Sequence, residues 1–336
     1  MTDTIAPKPT AKDFKSDQDV RWCPGCGDYT ILAMMQRVLP EFETRREKYA
    51  FVSGIGCSSR FPYYMNTYGF HTIHGRAPAL ATGVKLANPD LEVWVISGDG
   101  DSMSIGGNHL IHAIRRNVNM KLVIFNNRIY GLTKGQYSPT SEPGKVTPSS
   151  PMGSVDAPFN PASLILGAGA SFFARTTDRD TKHMQEMFRR AQAHKGFAVI
   201  EIFQNCSVFN DGAFDSVTEK EVRDDARVEL VHGEPMVFGK NKEKGILLKG
   251  LKPEVVSLEG RTKDDLLVHD EKNPYQAALV AKLGFGDGMP TPIGVFTARE
   301  EPVFDDAFLN QVAVAKQKKG PGKLEKLLDA PDAWEI

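Results

Sequence analysis

Residues 91–101, Leu-Glu-Val-Trp-Val-Ile-Ser-Gly-Asp-Gly-Asp, decide the fold. Leu91 to Ile96 is rich in β-branched and aromatic residues, the composition of a strand, and Gly98-Asp99-Gly100-Asp101 follows directly on Ser97. The next predicted strand, Lys121 to Phe125, ends in Asn126-Asn127. In a parallel sheet both segments sit at the carboxyl ends of strands, where such sheets bind ligands. A magnesium ion there takes hard oxygen ligands from one or two side chains, plus phosphate oxygens. Asp99 offers a carboxylate and Asn127 an amide oxygen, while the glycines flanking Asp99 let the backbone approach a diphosphate closely. Alone, Gly-Asp-Gly is equally a turn and Asn-Asn a loop start. Strand context and spacing together favour the diphosphate–metal reading.

Working outward, helical and strand periods alternate from about residue 28 to 203. Tyr29 to Leu39 carries Ile31, Leu32, Met35, Val38 and Leu39 on one helical stripe, and Pro40 stops it. Residues 50–55 form a short apolar run, and helices are expected at about 77–87, 106–116, 161–168 and 180–194. Short strands are expected at 171–174 and 197–202. This order predicts an α/β fold, a doubly wound and mostly parallel sheet with helices on both faces. Residues 130–160 are dense in Gly, Pro, Ser and Thr and read as a long loop of the functional kind. Beyond about 215 the chain is charged and weakly periodic. The expected organisation is a polar N-terminal tail at 1–19, a core domain at 20–214, and a C-terminal extension at 215–336 wrapping the core or a partner subunit.

The 336 residues are 41% hydrophobic and 25% charged, with a formal net charge of −1. That composition is globular, and the absence of a basic excess argues against nucleic-acid binding. No apolar run approaches the roughly 20 residues that span a bilayer, and the first 16 residues, MTDTIAPKPTAKDFKS, lack the apolar region of a secretory signal. The expected location is the cytoplasm, where cysteines serve metals or catalysis more often than disulfides.

The chain has four cysteines, Cys23, Cys26, Cys57 and Cys206. Four thiolates are the ligand count of a [4Fe–4S] cluster or of a structural zinc. Cys23-Pro24-Gly25-Cys26 has the spacing that lets two sulfurs reach one metal centre, Cys57 follows a predicted strand, and Cys206 follows the last strand of the core. A thioredoxin-type motif would need a preceding strand, and a polar tail precedes Trp22 instead. Zinc usually takes two close pairs, so one pair plus two distant singles favours a cluster. Inert buried thiols at 57 and 206 remain the plain alternative.

Seven segments occur in order: Trp-Cys-Pro-Gly-Cys-Gly at 22–27, Gly-Ile-Gly-Cys-Ser at 54–58 and His-Thr-Ile-His-Gly-Arg at 71–76, then Gly-Asp-Gly-Asp at 98–101, Asn-Asn-Arg-Ile-Tyr-Gly-Leu-Thr at 126–133, Gly-Gln-Tyr-Ser-Pro-Thr at 135–140 and Asn-Cys-Ser-Val-Phe-Asn at 205–210. Over about residues 20–215 they resemble the β subunit of the 2-oxoacid:ferredoxin oxidoreductases, most closely the 2-oxoglutarate branch. The resemblance implies a fold of the thiamine-diphosphate-binding type. It implies that Asp99, Asn127 and the Ile129 carbonyl hold magnesium, and that Ile55, Gly56, Cys57, Ser58, His74, Gly100, Asp101, Gly131 and Leu132 line thiamine diphosphate. It also implies one [4Fe–4S] cluster on the four cysteines, with Trp22 packing it.

The implied reaction is oxidative decarboxylation of 2-oxoglutarate with coenzyme A to succinyl-CoA and CO₂, reversibly, with electrons passing to ferredoxin. The family's activating glutamate lies on an α subunit, and no glutamate here has an equivalent context. An α subunit, in an α₂β₂ assembly, is therefore an expected partner. The distal carboxylate of 2-oxoglutarate calls for a cation, arginine for preference. Arg60 and Arg76 flank cofactor segments and are the candidates, with His71 and Lys134 behind them. A pyruvate or broad 2-oxoacid enzyme, a non-redox thiamine-diphosphate lyase and a zinc-stabilised non-catalytic subunit are the competing readings.

Overall fold

Strand side chains alternate between two apolar layers. Val93 and Val95 face one layer, Trp94 and Ile96 the other, as the period of two along a strand requires. In the computed structural model, which describes residues 9–260, 262–284, 288–329 and 334, this strand is β3 (Glu92–Gly98). It belongs to an eight-stranded sheet of order β2-β1-β3-β4-β6-β5-β11-β7. The other members are β1 (Tyr49–Ser53), β2 (Tyr68–His71), β4 (Lys121–Asn126), β5 (Phe172–Thr177), β6 (Ala198–Phe203), β7 (Arg227–Leu230) and β11 (Thr291–Ala298).

Helices cover both faces. On one side α2 (Ala77–Ala87), α4 (Gly107–Arg116) and α5 (Pro161–Gly167) bury Ala81, Leu110, Ile114 and Ile165 against Val52, Val95 and Leu122. On the other, α1 (Asp28–Val38) and α6 (Thr181–Ala193) bury Met35, Val38, Met184 and Phe188 against Phe51, Trp94 and Ile200. The short helix α3 (Asp99–Met103) starts where β3 ends. Local chemistry sets the starts: the Asn160 and Asp180 side chains accept from Ser163 and His183 N–H and cap α5 and α6.

The order of the strands creates the binding crevice. The chain leaves β1 outward to β2, returns to β3 on the opposite side of β1, and then proceeds to β4. The loops after β1 and β3 therefore diverge at the sheet's topological switch point, the place where open α/β sheets take ligands. All six strands from β1 to β6 run parallel.

Two features of the outlying segments follow from long-range packing. Within the tail, Phe14 is fully buried against Tyr49, with ring centroids 5.8 Å apart; a single anchor leaves no period in the sequence. From the 215–336 segment, β11 pairs antiparallel with β5 and parallel with β7, so this segment completes the main sheet. It also forms a small antiparallel sheet of β8 (Val237–Phe238), β9 (Lys244–Lys249) and β10 (Lys252–Ser257). Among the described residues, no helix is long and apolar enough to cross a membrane.

Candidate functional site

At the end of β3 the chain turns at once into α3, which buries Asp99, Gly100 and Asp101. Asp99 is 2% exposed, and its Oδ2 accepts hydrogen bonds from Ser138 Oγ at 2.6 Å and Thr140 Oγ1 at 2.5 Å. Burial nevertheless pushes its carboxyl above the usual range, as expected for an anion removed from water. Asp101 is a brace: Oδ1 accepts from Gly75 N–H at 2.7 Å and Oδ2 from Ser97 Oγ at 2.6 Å. It ties the 71–76 segment to β3. Gly100 has no room for a side chain, because a Cβ there would lie 2.2 Å from the Tyr130 ring.

Asn127 follows β4. Its Oδ1 accepts from Ile129 N–H at 3.2 Å and its Nδ2 donates to Gln204 Oε1 at 2.9 Å. The preceding Asn126 donates to Glu201, which is locked in an ion pair with Arg175 at 2.7 Å, both fully buried. Such a pair adds little net stability, but it fixes where β4 ends. One cavity is lined by Ile55, Gly56, Cys57 and Ser58 after β1, His74, and Asp99, Gly100 and Asp101 after β3. Asn127, Ile129, Gly131 and Leu132 after β4 close it. Every residue expected to touch the diphosphate or its metal thus faces one space. Tyr130 lines it too, and its hydroxyl donates to the Gly100 carbonyl at 3.2 Å.

A second cavity shares Cys57, Asn127, Gly131 and Leu132 with the first, and is lined by all four cysteines. None is in a disulfide. Trp22 Nε1 donates to the Cys57 carbonyl at 2.7 Å, Gly27 N–H to the Asn205 carbonyl at 3.1 Å, and Ser207 Oγ to the Pro24 carbonyl at 2.9 Å. These bonds bring 22–27, 57 and 205–207 together. A Cβ on Gly131 would lie 3.5 Å from Cys57 Sγ and 3.6 Å from Cys206 Sγ. Burial pushes the Cys57 thiol up to about 12 and Cys26 further, with the Asp28 carboxylate adding to both. Asp28 itself is buried beside them, and burial, aided by Asp178, pushes it up to about 7. Thiols in that setting become thiolates only when a cation compensates them, so the donor set fits an iron–sulfur cluster. Among the described residues, no three His, Cys, Asp or Glu side chains close around a single-ion position.

The comparisons agree with this geometry. Residues 54–202 match the family model described as thiamine pyrophosphate enzyme, C-terminal TPP binding domain. A 2-oxoglutarate oxidoreductase subunit KorB of Mycobacterium tuberculosis is 52% identical over 329 residues, 97% of this chain and 88% of that one. The chain belongs to the β subunits of the 2-oxoacid:ferredoxin oxidoreductases, in the 2-oxoglutarate branch. A 2-oxoacid:ferredoxin oxidoreductase subunit beta of Saccharolobus solfataricus is 45% identical over 192 residues, 56% of this chain and 63% of that one. A solved 2-oxoglutarate:ferredoxin oxidoreductase from Magnetococcus marinus, with 2-oxoglutarate, coenzyme A and succinyl-CoA bound, superposes with a TM-score of 0.75. It is 34% identical, with 97% of each chain covered. The likeness therefore reaches well beyond residue 215, into the part of the chain with the weakest periodicity.

The four cation candidates of this β subunit separate. Arg60 and His71 line a cleft with Tyr63 and Arg21 that shares Ile55, Gly56 and Leu132 with the cofactor cavity. Arg60 and Lys134 also line the cysteine cavity. Arg76 lines none of the three; it precedes α2 and sits near His109, whose protonation it disfavours after burial does. No glutamate lines the cofactor cavity among the described residues. Sequence reasoning passed over Ser138 and Thr140, although both lie inside the quoted 135–140 segment. It also passed over Tyr130 and Gln204, whose roles depend on what they touch.

Proposed function

We propose that this chain is the β subunit of a 2-oxoglutarate:ferredoxin oxidoreductase that converts 2-oxoglutarate and coenzyme A to succinyl-CoA and CO₂, reversibly, passing two electrons to ferredoxin. The observation that carries the reading is the shared wall between the two cavities. Cys57, Asn127, Gly131 and Leu132 border both the diphosphate site and the four cysteines. Thiamine diphosphate supplies an electron sink for the carbon–carbon cleavage, and an iron–sulfur cluster supplies a one-electron acceptor.

The chain's own residues then have definable tasks. Asp99, Asn127 Oδ1 and the Ile129 carbonyl are the oxygen ligands for magnesium, and Ser138 and Thr140 orient Asp99 for it. Asp101 holds the 71–76 segment over the diphosphate, which keeps His74 at the cavity wall. The four cysteines would hold a [4Fe–4S] cluster, which would supply a one-electron acceptor beside the cofactor cavity, since Cys57 of the 55–58 turn lines both cavities. Arg60 is the preferred anchor for the distal carboxylate. An α subunit completes the site with the glutamate not found among the described residues of this cavity, in an α₂β₂ assembly acting in the cytoplasm. The naming of the relatives as β subunits supports a partner chain.

The test is anaerobic co-expression with the neighbouring α subunit, metal and sulfide analysis, and viologen reduction with several 2-oxoacids plus coenzyme A. About four iron and four sulfide per β chain, with 2-oxoglutarate the preferred substrate, are the expected results. A colourless complex that decarboxylates without reducing viologen would sink the reading in favour of a non-redox lyase.

A further inference from the structure

Gln204 lines neither cavity but bonds Cys26, which lines the cysteine cavity, and Asn127, which lines both. It follows β6, is 1% exposed, and its backbone N–H donates to the Asn126 carbonyl at 2.9 Å. Its Nε2 donates to Cys26 Sγ at 3.3 Å and to the Asn205 carbonyl, while its Oε1 accepts from Asn127 Nδ2 at 2.9 Å. The partners fix the orientation of the amide. Turned over, its oxygen would face a sulfur and a carbonyl, and its NH₂ would face another NH₂. One side chain thus bonds a cysteine of the proposed cluster and the asparagine of the proposed magnesium site.

We propose that Gln204 is a positioning residue with two effects, raising the reduction potential of the cluster through Cys26 and holding the Asn127 amide oxygen in place for magnesium. The inference rests on the β-subunit reading above. An N–H donor on a ligand sulfur stabilises the more negative, reduced cluster, so it raises the potential. Partners that orient a metal ligand from behind typically change metal affinity by about 10- to 100-fold when lost. Cys26 lines the cysteine cavity alone, and Asn127 belongs to the wall shared by both cavities.

Two variants of the anaerobically purified αβ complex separate the effects. Gln204→Leu removes both bonds. Gln204→Glu loses the donor to Cys26 but keeps an oxygen that accepts from Asn127. Iron and sulfide content, the midpoint potential from an EPR-monitored redox titration, and magnesium-dependent thiamine diphosphate affinity are measured for each.

Gln204→Leu is expected to lower the midpoint by the equivalent of a tenfold change in the reduced-to-oxidised ratio, about 59 mV for one electron, and to weaken cofactor binding roughly tenfold. Gln204→Glu is expected to lower the midpoint while binding the cofactor near wild-type strength. Unchanged midpoints in both variants with full iron content overturn the proposal, as does loss of iron from both, which leaves Gln204 a packing residue. If only Gln204→Leu loses iron, the uncharged Gln204→Met decides, because the carboxylate of Gln204→Glu would lower the midpoint by charge alone: lowered in Gln204→Met supports the proposal, unchanged overturns it. A wild-type complex without iron overturns the β-subunit reading itself, and is seen before any variant is made.

Discussion

Asp99 and Arg60 show how much a single residue's setting matters. Asp99 is an anion pushed toward neutrality by burial and steadied by two hydroxyls, an arrangement that a divalent cation resolves. Asp99→Ala is expected to abolish magnesium-dependent thiamine diphosphate binding, a loss of at least about 100-fold, with iron content intact; calorimetry on the complex measures it. Arg60 lines the cleft next to the cofactor cavity while Arg76 does not. Arg60→Ala should therefore raise KM for 2-oxoglutarate roughly tenfold, the cost of a charge-assisted bond, and leave KM for pyruvate nearly unchanged. Arg76→Ala should affect the two substrates alike. Equal effects of Arg60→Ala on both substrates would remove the assignment. The residue types at these positions were legible in the sequence. Which arginine lines the cleft beside the cofactor cavity was not, because that depends on the path of the 54–76 segment.

At the scale of elements, local pattern served well wherever the element is buried in the core. The helices expected at 77–87 and 161–168 and the strands at 121–125 and 197–202 match α2, α5, β4 and β6 within a residue or two. The strand β2 was passed over because it is only four residues long and, although Tyr68 and Phe70 alternate with Gly69 and His71, all four are exposed and mark no buried face. The turn after β4 carries another test. Gly131 stands 3.5–3.6 Å from two cysteine sulfurs at its Cβ position, so Gly131→Leu fills the cysteine cavity and should strip the cluster. Iron analysis would show the loss, while retention of full iron would place the cluster elsewhere.

The end of α6 makes a prediction about pH. His194 bonds Ser171 Oγ at 2.9 Å, and burial, followed by the nearby Lys121, lowers its pKa to about 4. The unfolded chain, with a histidine pKa near 6.5, binds this proton first as pH falls. Its contribution to stability is thus complete above about 6.5 and is lost progressively toward 4. Urea midpoints at pH 7 and pH 5 should differ less in His194→Gln than in wild type; an identical pH response would refute this.

For the whole molecule, the main consequence is that residues 20–214 are not expected to stand alone. Truncation after 214 would strip β11 from β5, exposing the β5 edge and unpacking Phe173 from Phe296, whose rings lie 5.0 Å apart. An unpaired, apolar strand edge invites aggregation. The truncated chain should therefore be insoluble or unfolded by circular dichroism; a soluble, cooperatively folding fragment would restore the two-part organisation. The complex has the same logic one level up: with no glutamate among the described residues that line its cofactor cavity, the isolated chain should bind cofactors and reduce no viologen.

The sequence by itself determined the order of strands and helices from 28 to 203 apart from β2, the candidate oxygen and sulfur donors, and the family. Each of these is written in local period, spacing or residue type. Only the tertiary structure decided that the 215–336 segment closes the sheet, that Cys57 and Cys206 share a cavity with the Trp22–Cys26 turn, and that Gln204 bridges two sites. Those relations join residues far apart in the chain. They are set by which strands lie side by side, and hydrophobic burial, being non-directional, does not encode that in any single segment.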